Sequence, residues 1–549
     1  MELQQVDVVV AGSGAAGLTA ALTAAHLGLS VLVIEKAGHF GGSTARSGGG
    51  IWAPGNTVLR DARVADTPEQ ARAYLAHVAG DVPAGRQEAL LEHGPEMLSL
   101  VLAKTPLRLA WVPGYADYYP EAPGGLAAGR SIEPVPLDGR KVLGGELDRL
   151  ARPYLPSPVA ITQAEYRWLS LGRHPRGIRA GLRVAGRAAR ARLLGQRTLS
   201  LGQALAAGLR AGLLTAGVPV WLDTPLTGLE VEDGRVTGVR VRGEPALIKA
   251  RRGVLIATGG FERDEEMRRR YQRAPTGTEW TTGAPGNTGD GIRAGLDLGA
   301  DAGLMDDAWW GPSIPLPGGP YFCLAERSLP GCVLVNGAGQ RFVNESAPYV
   351  DAVHAMYDGN TPENPHIPAW LVFDQRYRDR YVFAGLPPGR ALPRRWYAAG
   401  AVLRADDLAG LARAAGVDAD GLIKTVTRFN EFAAAGRDED FGRGDSAYDR
   451  YYGDPRLANP NLAPLARPPF YAVKIVPGDL GTKGGLRTDE RARVLRPDGT
   501  AIEGLFAAGN ASAAVMGHSY AGAGATIGPA MTFGYIAART MAKERPGER

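Results

Sequence analysis

One tyrosine near the C-terminal end stands in a segment made almost entirely of small residues. Tyr520 is followed by Ala521 and by glycines at positions 522 and 524. Glycines that precede a helix let backbone N–H groups approach a ligand, and a phenol hydroxyl is a further hydrogen-bond donor. A flexible Gly/Ala loop is the alternative, but it leaves the tyrosine unexplained. The segment therefore indicates a binding loop that presents donors to a ligand.

The N-terminal residues carry a dinucleotide-binding pattern. A buried strand leads into a G-x-G-x-x-G turn at Gly12, Gly14 and Gly17, an alanine-rich helix extends through His26, and a second strand ends in Glu35. Gly12 makes the turn, Gly14 admits a pyrophosphate to the helix N-terminus, and Gly17 allows close packing. Glu35 is expected to accept hydrogen bonds from the adenosine ribose hydroxyls.

Four further segments decide which dinucleotide is expected. Residues 39–50 form a glycine and hydroxyl loop that can run along a cofactor longer than NAD. Residues 253–260 read as a buried strand ending in small residues, and residues 231–239 as a hairpin with an Asp-Gly turn. The strand from Leu505 to Ala508 closes the site. Flavoproteins of the glutathione-reductase type use this arrangement, so the sequence predicts FAD.

The predicted FAD-binding residues lie in or next to these segments, the Tyr520 segment and the short motif at 287–291. They are Gly12, Gly14, Ala15, Ala16, Gly17, Glu35, Lys36, Gly42, Ser43, Thr44, Ser47, Gly48, Gly49, Ala257, Thr258, Gly259, Asn287, Asp290, Gly509, Asn510, Ala525, Thr526 and Ile527.

Length and composition limit the remaining choices. A chain of 549 residues is longer than a single hydrophobic core usually organises, so two domains are expected. Lys and Arg total 62 against 57 Asp and Glu, which gives a net charge of +5 and favours neither disorder nor nucleic-acid binding. Cys323 and Cys332 are the only cysteines, so neither a disulfide scaffold nor a metal site is predicted. Redox chemistry then requires an organic cofactor.

The N-terminal residues pass directly into a strand, without a basic segment and a cleavable apolar core. No uninterrupted apolar stretch reaches the length that spans a bilayer. A cytoplasmic location is therefore expected, with contact to the inner face of the cell membrane kept open.

Five segments together resemble the fumarate reductase/3-ketosteroid dehydrogenase flavoproteins, and the resemblance covers nearly the whole chain. They are residues 41–44, 287–291, 337–345, 479–486 and the Tyr520 segment. Within this superfamily the chain is most similar to the 3-ketosteroid Δ1-dehydrogenases, because Tyr118, Tyr349 and Tyr520 stand in matching motifs and in the expected order. Ala521 departs from the family, which usually has proline there.

The resemblance implies an α/β fold with a Rossmann-like, discontinuous FAD-binding domain of glutathione-reductase type and an inserted α+β substrate domain. We expect the FAD domain at residues 1–304 and 482–549, with a basic insert at about 160–200, and the substrate domain at 305–481.

The resemblance also implies the chemistry, which is 1,2-dehydrogenation of a 3-ketosteroid. Tyr349 is expected to take the C2 proton, assisted by a hydrogen bond from Tyr118, while hydride passes from C1 to flavin N5. The Tyr520 hydroxyl and the Gly524 N–H are expected to bind the ketone oxygen and stabilise the enolate. Each of these residues is thus both catalytic and substrate-binding. Tyr115 and Tyr119 remain alternatives to Tyr118.

Other members of the superfamily set the alternatives. Succinate dehydrogenase flavoproteins carry a histidine for covalent FAD where this chain has Ser43 and Thr44, so non-covalent FAD is expected. Dicarboxylate enzymes place a histidine before a Thr-x-Gly-Gly run, where this chain has Leu480 and Gly481. A dehydrogenase acting at the 4,5 bond of 5α-steroids, another enone reductase, and a flavin-bearing electron-relay protein remain open.

A basic stretch lies apart from these motifs. Residues 166–222 contain no Asp or Glu, and arginines alternate there with apolar and small residues. Two interpretations remain open, an amphipathic element on anionic lipid and a solvated insert or oligomer contact. Sparse aromatic residues disfavour nucleic acid. A second NAD(P) fingerprint is not evident, so a quinone is the expected electron acceptor.

Overall fold

The computed structural model of the protein describes residues 4–154 and 159–544. The strands are β1 (Gln4–Ala11), β2 (Val31–Ile34), β3 (Ile51–Trp52), β4 (Leu109–Trp111), β5 (Ser131–Pro134), β6 (Leu137–Asp138), β7 (Thr198–Leu199), β8 (Val220–Trp221), β9 (Leu226–Glu232), β10 (Arg235–Val241), β11 (Leu247–Ile256), β12 (Ala302–Gly303), β13 (Ala308–Ile314), β14 (Tyr321–Phe322), β15 (Cys332–Val335), β16 (Ala369–Asp374), β17 (Val402–Ala405), β18 (Phe470–Thr482), β19 (Gly485–Leu486), β20 (Arg493–Leu495) and β21 (Ala501–Ala507).

The helices follow the same order. They are α1 (Ala15–His26), α2 (Gly42–Arg46), α3 (Thr57–Asp61), α4 (Pro68–Ala79), α5 (Ala84–Lys104), α6 (Gly139–Leu143), α7 (Gln163–Ser170), α8 (Pro175–Leu193), α9 (Leu201–Thr215), α10 (Glu265–Tyr271), α11 (Asp290–Leu296), α12 (Tyr349–Asp358), α13 (Gln375–Arg380), α14 (Arg394–Ala398), α15 (Leu408–Ala415), α16 (Ala419–Ala435), α17 (Ala447–Tyr451) and α18 (Ile527–Lys543), with short 3₁₀ turns at Gly144–Arg149, Thr278–Trp280 and Gly509–Ala511.

The first sheet joins the two ends of the chain. Its order is β20-β21-β11-β1-β2-β8, with β10 and β9 attached beside β11. β1 runs parallel to β2 and β11, and β11 runs parallel to β21. The consecutive valines at 8, 9 and 10 are all fully buried, which is the pattern of a parallel strand covered on both faces. This confirms the predicted α/β fold, and β9 and β10 form the predicted hairpin.

Helices α1 and α18 pack against each other beside this sheet. A Cβ atom on Gly534 would lie 2.4 Å from the carbonyl oxygen of Ala16, so glycine is required for the close approach. The helix that follows the dinucleotide turn and the helix that follows the Tyr520 loop therefore lie together, although they come from opposite ends of the chain.

The second sheet is antiparallel and lies between these chain ends in sequence. Its order is β14-β13-β18-β16-β15, with β17 paired to the long strand β18. β16 is fully buried, and helix α12 packs against β13. The division at 304/305 and 481/482 stays a prediction, and its outer limits at residues 1 and 549 lie outside the described residues.

The basic stretch forms a helix with two faces. The His174 side chain accepts a hydrogen bond from the Arg176 N–H at the start of α8, and the face with Gly177, Ala180 and Val184 is buried. Within the described residues, no helix is long and apolar enough to cross a membrane.

The core of the second sheet gives a stability prediction. Phe373 is fully buried in β16, where its ring contacts those of Tyr377, Phe383 and Tyr471. Phe373→Ala should lower the free energy of unfolding by about 3–5 kcal/mol, because the removed ring leaves a cavity. Chemical denaturation measures this loss. Ile423→Ala, at a half-exposed position, should change it by less than about 0.5 kcal/mol, and equal losses would contradict the assignment of the core.

Candidate active site

Three buried phenols meet between the two sheets. The Tyr118 hydroxyl donates a 3.1 Å hydrogen bond to the Tyr349 hydroxyl oxygen. The Tyr520 ring centroid lies 5.1 Å from that of Tyr118 and 5.3 Å from that of Tyr349. All three side chains are at most 4% exposed. The structure thus brings together the three tyrosines that the sequence singled out, from segments hundreds of residues apart.

Tyr118 is held through its backbone and through its neighbour. Its N–H donates to the Ala521 carbonyl at 3.0 Å, which ties it to the Tyr520 loop. The adjacent Asp117 carboxylate accepts from Trp52 Nε1 at 3.0 Å and pairs with the buried Arg130 guanidinium. Burial raises the pKa of Asp117 to about 6, and the Arg130 charge opposes this rise.

Tyr349 is the first residue of α12, and a buried arginine fixes the turn before it. The Arg327 guanidinium donates to the carbonyl oxygens of Glu345 and Ala347 at 2.5 and 2.7 Å. The Glu345 carboxylate is itself buried between the guanidinium groups of Arg341 and Arg443. This charged network sets where the helix begins and so where the Tyr349 ring points.

Tyr520 faces both the other tyrosines and the predicted FAD-binding residues. Its hydroxyl forms a 2.9 Å hydrogen bond with Thr526 Oγ1, and the Gly524 backbone lies close to it. Its ring packs edge-on against Trp309 with centroids 4.9 Å apart. Two donors, the Tyr520 hydroxyl and the Gly524 N–H, therefore lie side by side.

The structure adds a packing reason for glycine at 524, which the sequence explained by ligand access alone. Gly524 has φ of 93°, and a Cβ atom there would lie 2.4 Å from the Gly50 carbonyl carbon. The chain has alanine at 521, where the family usually has proline, and the hydrogen bonds of this residue do not depend on the difference. Its carbonyl oxygen accepts from the Tyr118 N–H at 3.0 Å and from the Tyr74 hydroxyl at 2.5 Å, and a proline would keep that carbonyl.

The pKa values of the phenols follow from their burial. Burial raises the pKa of Tyr118 and Tyr349 well above the ordinary value of 10.0. Burial also raises the pKa of Tyr520, and the hydrogen bond with Thr526 opposes this. All three are therefore protonated in neutral solution and available as donors.

The sequence left open which tyrosine of the 115–119 segment faces Tyr349, and the structure distinguishes them. Tyr118 contacts Tyr349, whereas the Tyr119 hydroxyl donates to Asp351 Oδ1 at 2.9 Å. The Tyr115 hydroxyl accepts from Tyr452 at 3.2 Å, and its ring centroid lies 6.3 Å from that of Tyr118.

Sequence reasoning missed several aromatic residues that surround the three phenols. Tyr448 lies 4.6 Å from Tyr118, and Phe322 lies 5.1 Å from Tyr349, between ring centroids. Trp309 packs on Tyr520. The dense tyrosines at 448–452 were a visible signal, whereas Phe322 and Trp309 belong to β14 and β13 and carried none.

The glycine turn fits a dinucleotide. A Cβ atom on Gly12 would lie 2.2 Å from the Ala257 carbonyl oxygen, and one on Gly17 would lie 1.9 Å from the Gly12 carbonyl oxygen, so packing requires both glycines. Gly14 differs. Its φ is −76° and its Cβ would meet nothing nearer than Thr44 Oγ1 at 3.6 Å, so the protein itself would accept a side chain there. Close approach of a ligand to the N-terminus of α1 explains the glycine.

The loops around α1 are joined by their predicted FAD-binding residues. The Thr44 hydroxyl oxygen accepts from the Ala15 N–H at 2.9 Å, and the Ser43 hydroxyl oxygen accepts from Asn287 Nδ2 at 3.0 Å. Lys36 pairs with Asp290 at 2.7 Å. Hydroxyl, amide and charged groups from three distant segments therefore meet at one edge of the first sheet, where parallel strands end.

The acidic residue of the fingerprint is partly engaged by the protein. Glu35 Oε2 accepts from the N–H and the hydroxyl of Ser13, and Oε1 accepts from the Ala37 N–H at 2.9 Å. Oε1 keeps a lone pair, so Glu35 is oriented by these bonds and still able to accept from a ribose hydroxyl.

The remaining predicted FAD-binding residues line the path from α1 to the phenols. Gly48 and Gly49 lie in a turn where Ser47 Oγ donates to the Thr44 carbonyl oxygen at 2.7 Å. Among the described residues, the buried Thr258 hydroxyl has no hydrogen-bond partner, which leaves a polar atom for a ligand. Ala16, Ala257, Gly259 and Ile527 complete the set near the strand and helix ends.

A narrow cleft lies between Trp309 and the start of α18. Trp309, Gly509, Asn510, Ala525 and Thr526 belong to its lining, and Asn510 Oδ1 accepts from Trp309 Nε1 at 3.1 Å. The same Trp309 ring packs on Tyr520, so a cofactor in the cleft would lie beside the phenols. In the part of the chain that the structure describes, no cluster of His, Cys, Asp or Glu is arranged for a metal ion.

Gly14 allows a direct test of the cradle. Gly14→Val should fold normally but lose FAD, because the new side chain occupies space that only the cofactor needs. The ratio of flavin absorbance to protein absorbance measures binding, and circular dichroism measures folding. Gly186→Ala in the exposed part of α8 is the control and should keep its flavin. A Gly14→Val protein that retains full FAD content would contradict this placement.

Comparisons with known proteins agree with this geometry. The FAD binding domain family matches residues 7–527. The 3-oxosteroid 1-dehydrogenase of Mycobacterium tuberculosis is 57% identical, with 100% of both chains covered. The 4-oxocyclohexanecarboxylate 2-dehydrogenase of Sinomonas cyclohexanicum is 38% identical, with 98% of this chain and 93% of that one covered.

Among solved structures, the 3-ketosteroid Δ1-dehydrogenase of Sterolibacterium denitrificans in complex with 1,4-androstadiene-3,17-dione superposes with a TM-score of 0.93. It is 42% identical, with 98% of this chain and 99% of that chain covered. The predicted cofactor, FAD, is thereby confirmed. The chain belongs to the FAD-binding flavoprotein family and, within it, to the 3-ketosteroid Δ1-dehydrogenases.

Proposed function

We propose that this protein catalyses the FAD-dependent 1,2-dehydrogenation of 3-ketosteroids. One observation carries the proposal, which is the meeting of Tyr118, Tyr349 and Tyr520 in a buried cluster beside the cleft of FAD-binding residues. The relatives at 57% identity support the same bond and substrate class. The rings of Tyr448, Phe322 and Trp309 around the phenols suit an apolar ketone better than a dicarboxylate.

The ketone oxygen would accept hydrogen bonds from the Tyr520 hydroxyl and the Gly524 N–H. Tyr520 is buried and its hydroxyl is oriented by Thr526, and Gly524 lies half-buried in the same loop, so both donors are positioned before the substrate binds. Their benefit grows as negative charge develops on the oxygen, because a charged acceptor forms stronger hydrogen bonds than a neutral carbonyl. The pair would therefore stabilise the enolate more than the bound ketone.

Tyr349 would accept the proton that leaves C2. Tyr349 would take this proton as its phenolate, which becomes the neutral phenol as the C2–H bond electrons form the enolate. Burial raises its pKa, so the phenolate is the minor form in neutral solution. The hydrogen bond that Tyr118 donates to the Tyr349 oxygen would stabilise the phenolate before the transfer. FAD, when bound, supplies the acceptor for the two electrons that leave with the C1 hydrogen.

Anaerobic mixing with androst-4-ene-3,17-dione tests the reaction. The proposal expects loss of the oxidised flavin absorbance and formation of the 1,4-diene product. Bleaching only by a saturated 5α-ketone would instead support dehydrogenation at the 4,5 bond. An absence of bleaching by either steroid would favour an electron-relay protein and contradict steroid chemistry.

The tyrosines have distinct expected effects. Tyr349→Phe should lower kcat by at least about 100-fold, because it removes the proton acceptor. Tyr520→Phe should lower kcat by roughly one to three orders of magnitude, the scale of one lost oxyanion donor. Tyr397→Phe, which lies on α14, is the control and should keep its activity. Steady-state assays with equal flavin content measure all three, and survival of Tyr349→Phe activity within a few-fold would contradict the assigned base.

The same assignment sets a pH dependence. Since the pKa of Tyr349 is raised, its fraction of phenolate increases with pH throughout the neutral range. The kcat of the wild-type enzyme should therefore rise between about pH 6 and pH 9, and Tyr349→Phe should lose this rise. A flat wild-type profile in that range would contradict proton transfer to Tyr349 as the step that limits kcat.

We further propose that helix α8 lies on an anionic membrane surface on the inner face of the cell membrane and that a quinone accepts the electrons. Ile178, Leu182 and Leu193 are 55%, 68% and 86% exposed, and their spacing puts them on one face. That face lies opposite the buried one, and exposed arginines, including Arg179 and Arg183, flank it. Apolar residues flanked by cations are typical of helices in the plane of a membrane interface.

Vesicle flotation tests the surface of α8. The wild-type protein should float with vesicles that contain phosphatidylglycerol, and the triple variant Ile178→Gln, Leu182→Gln, Leu193→Gln should remain in the soluble fraction. Ile423→Gln replaces an exposed apolar residue on α16 and should behave as wild type. Equal soluble fractions for the wild type and the triple variant would remove the proposal.

A further inference from the structure

A cluster of charged side chains lies beside the phenols. Asp307 Oδ2 pairs with Lys483 Nζ at 3.0 Å and with His518 Nδ1 at 3.1 Å. Asp307 Oδ1 pairs with His354 Nε2 at 2.9 Å. The side chains of Asp307 and Lys483 are 3% and 0% exposed, whereas that of His518 is 60% exposed. We call these four residues the Asp307 cluster.

Each member of the Asp307 cluster belongs to an element that carries part of the site. His354 lies on α12, the helix that begins at Tyr349. His518 precedes Tyr520 in the same loop, and its carbonyl oxygen accepts from Lys483 Nζ at 2.6 Å. Asp307 immediately precedes β13, whose Trp309 packs on the Tyr520 ring. One carboxylate therefore contacts the helix of Tyr349 and the loop of Tyr520.

We infer that Asp307 is a positioning residue that holds Tyr349 and Tyr520 in register for the reaction proposed above, on which this inference rests. Tyr349 must reach the C2 hydrogen while Tyr520 binds the ketone oxygen of the same molecule. The geometry of the substrate therefore sets the distance that must separate the two phenol hydroxyls. A displacement of about 1 Å costs roughly 100-fold in rate when reacting groups must be aligned.

Other hydrogen bonds to the Tyr520 loop come from neutral donors, including the Trp52 N–H to the Gly524 carbonyl and the Ser131 hydroxyl to the Ala523 carbonyl. The Ala521 carbonyl is bound by two neutral donors, the Tyr118 N–H and the Tyr74 hydroxyl. The Lys483 ammonium instead makes charge-assisted bonds to Asp307 and to the His518 carbonyl. Charge-assisted hydrogen bonds in a buried setting are the stronger kind, so this side of the loop depends on the Asp307 cluster.

The charges of the cluster explain how Asp307 stays ionised. Burial would raise the pKa of Asp307, but the Lys483 ammonium and the hydrogen bonds from His354 and His518 outweigh it and hold that pKa well below its ordinary range. Burial lowers the pKa of Lys483, and Asp307 opposes this. A charged Asp307 is therefore available to bind all three partners.

His518 makes part of this tether dependent on pH. Its hydrogen bond to Asp307 raises its pKa above the ordinary value of 6.5. A raised folded-state pKa means that the contribution of protonated His518 is fully present below that ordinary value and is lost as pH rises through the raised one. Asp306 also raises this pKa, whereas Lys483 lowers it, and Asp351, which faces Lys483, accepts from Tyr119.

Substitutions at Asp307 and Lys483 test the inference. Asp307→Asn alone leaves the Lys483 ammonium buried without its partner and could lose its fold, so the double variant Asp307→Asn, Lys483→Met is also needed. The double variant is neutral at both sites and should fold and bind FAD. Its kcat should fall about 30- to 300-fold while KM changes by less than about threefold, because binding survives and alignment does not.

An ion pair elsewhere, in which Arg210 is buried and Glu146 is partly exposed, supplies the control. Arg210 on α9 pairs with Glu146 at 2.7 Å, and neither contacts the phenols. The variant Glu146→Gln, Arg210→Met should lose stability without a comparable fall in kcat per bound flavin. If the two double variants lose kcat equally, or if Asp307→Asn, Lys483→Met keeps its kcat, the positioning role is wrong.

His518, the exposed member of the Asp307 cluster, gives a second measurement. A purely structural role of the cluster would not change its result. The ratio of kcat for His518→Gln to kcat for the wild type should rise with pH between about pH 6 and pH 9, because the wild type loses its own His518 charge over that range. A ratio that stays constant would overturn the inference. Failure of the wild-type enzyme to oxidise any 3-ketosteroid would instead count against the proposed function and would be recognised before any variant is compared.

Discussion

The parallel pairing of β1 with β11 and of β11 with β21 is the constraint on which the rest of the structure depends. It places residues from the two ends of the chain in one sheet, so the helices α1 and α18 that follow those strands pack together. Gly534 allows that contact, since a side chain there would strike Ala16. The glycine turn of α1 and the Tyr520 loop that leads into α18 are therefore held at the same edge of the sheet.

The antiparallel sheet supplies the opposite side of the site. Several ion pairs around the site are buried, and removing their charges from water costs free energy. Asp117 with Arg130, Glu345 with its two arginines, and Asp307 with Lys483 are all buried ion pairs directly next to a segment that carries a phenol. Replacing such pairs with apolar residues is often neutral or stabilising, so stability alone does not explain them. The need to fix the direction of a loop or of a helix start explains these buried ion pairs, because a charged hydrogen bond has a preferred geometry that apolar contacts lack.

Particular residues mark the limit of sequence reasoning. The consecutive valines of β1 and the glycines of the turn predict a buried strand and a dinucleotide site because strand burial and the fit of a pyrophosphate are local requirements. Gly524 was singled out correctly as unusual, but its contact with Gly50 depends on a segment far away in the chain. Phe322, Trp309 and Asp307 gave no signal, because nothing in their neighbouring residues marks them as parts of a site.

The sequence by itself determined the α/β class, the use of FAD and the three tyrosines worth attention, since each follows from a short motif with its own physical requirement. Only the tertiary structure decided that Tyr118 rather than Tyr115 or Tyr119 meets Tyr349, and that Tyr520 lies against both. The physical reason is that a hydrogen bond is made within about 3 Å, whereas neighbouring side chains in an irregular loop point in directions set by what packs around them. That packing comes from strands and helices hundreds of residues away.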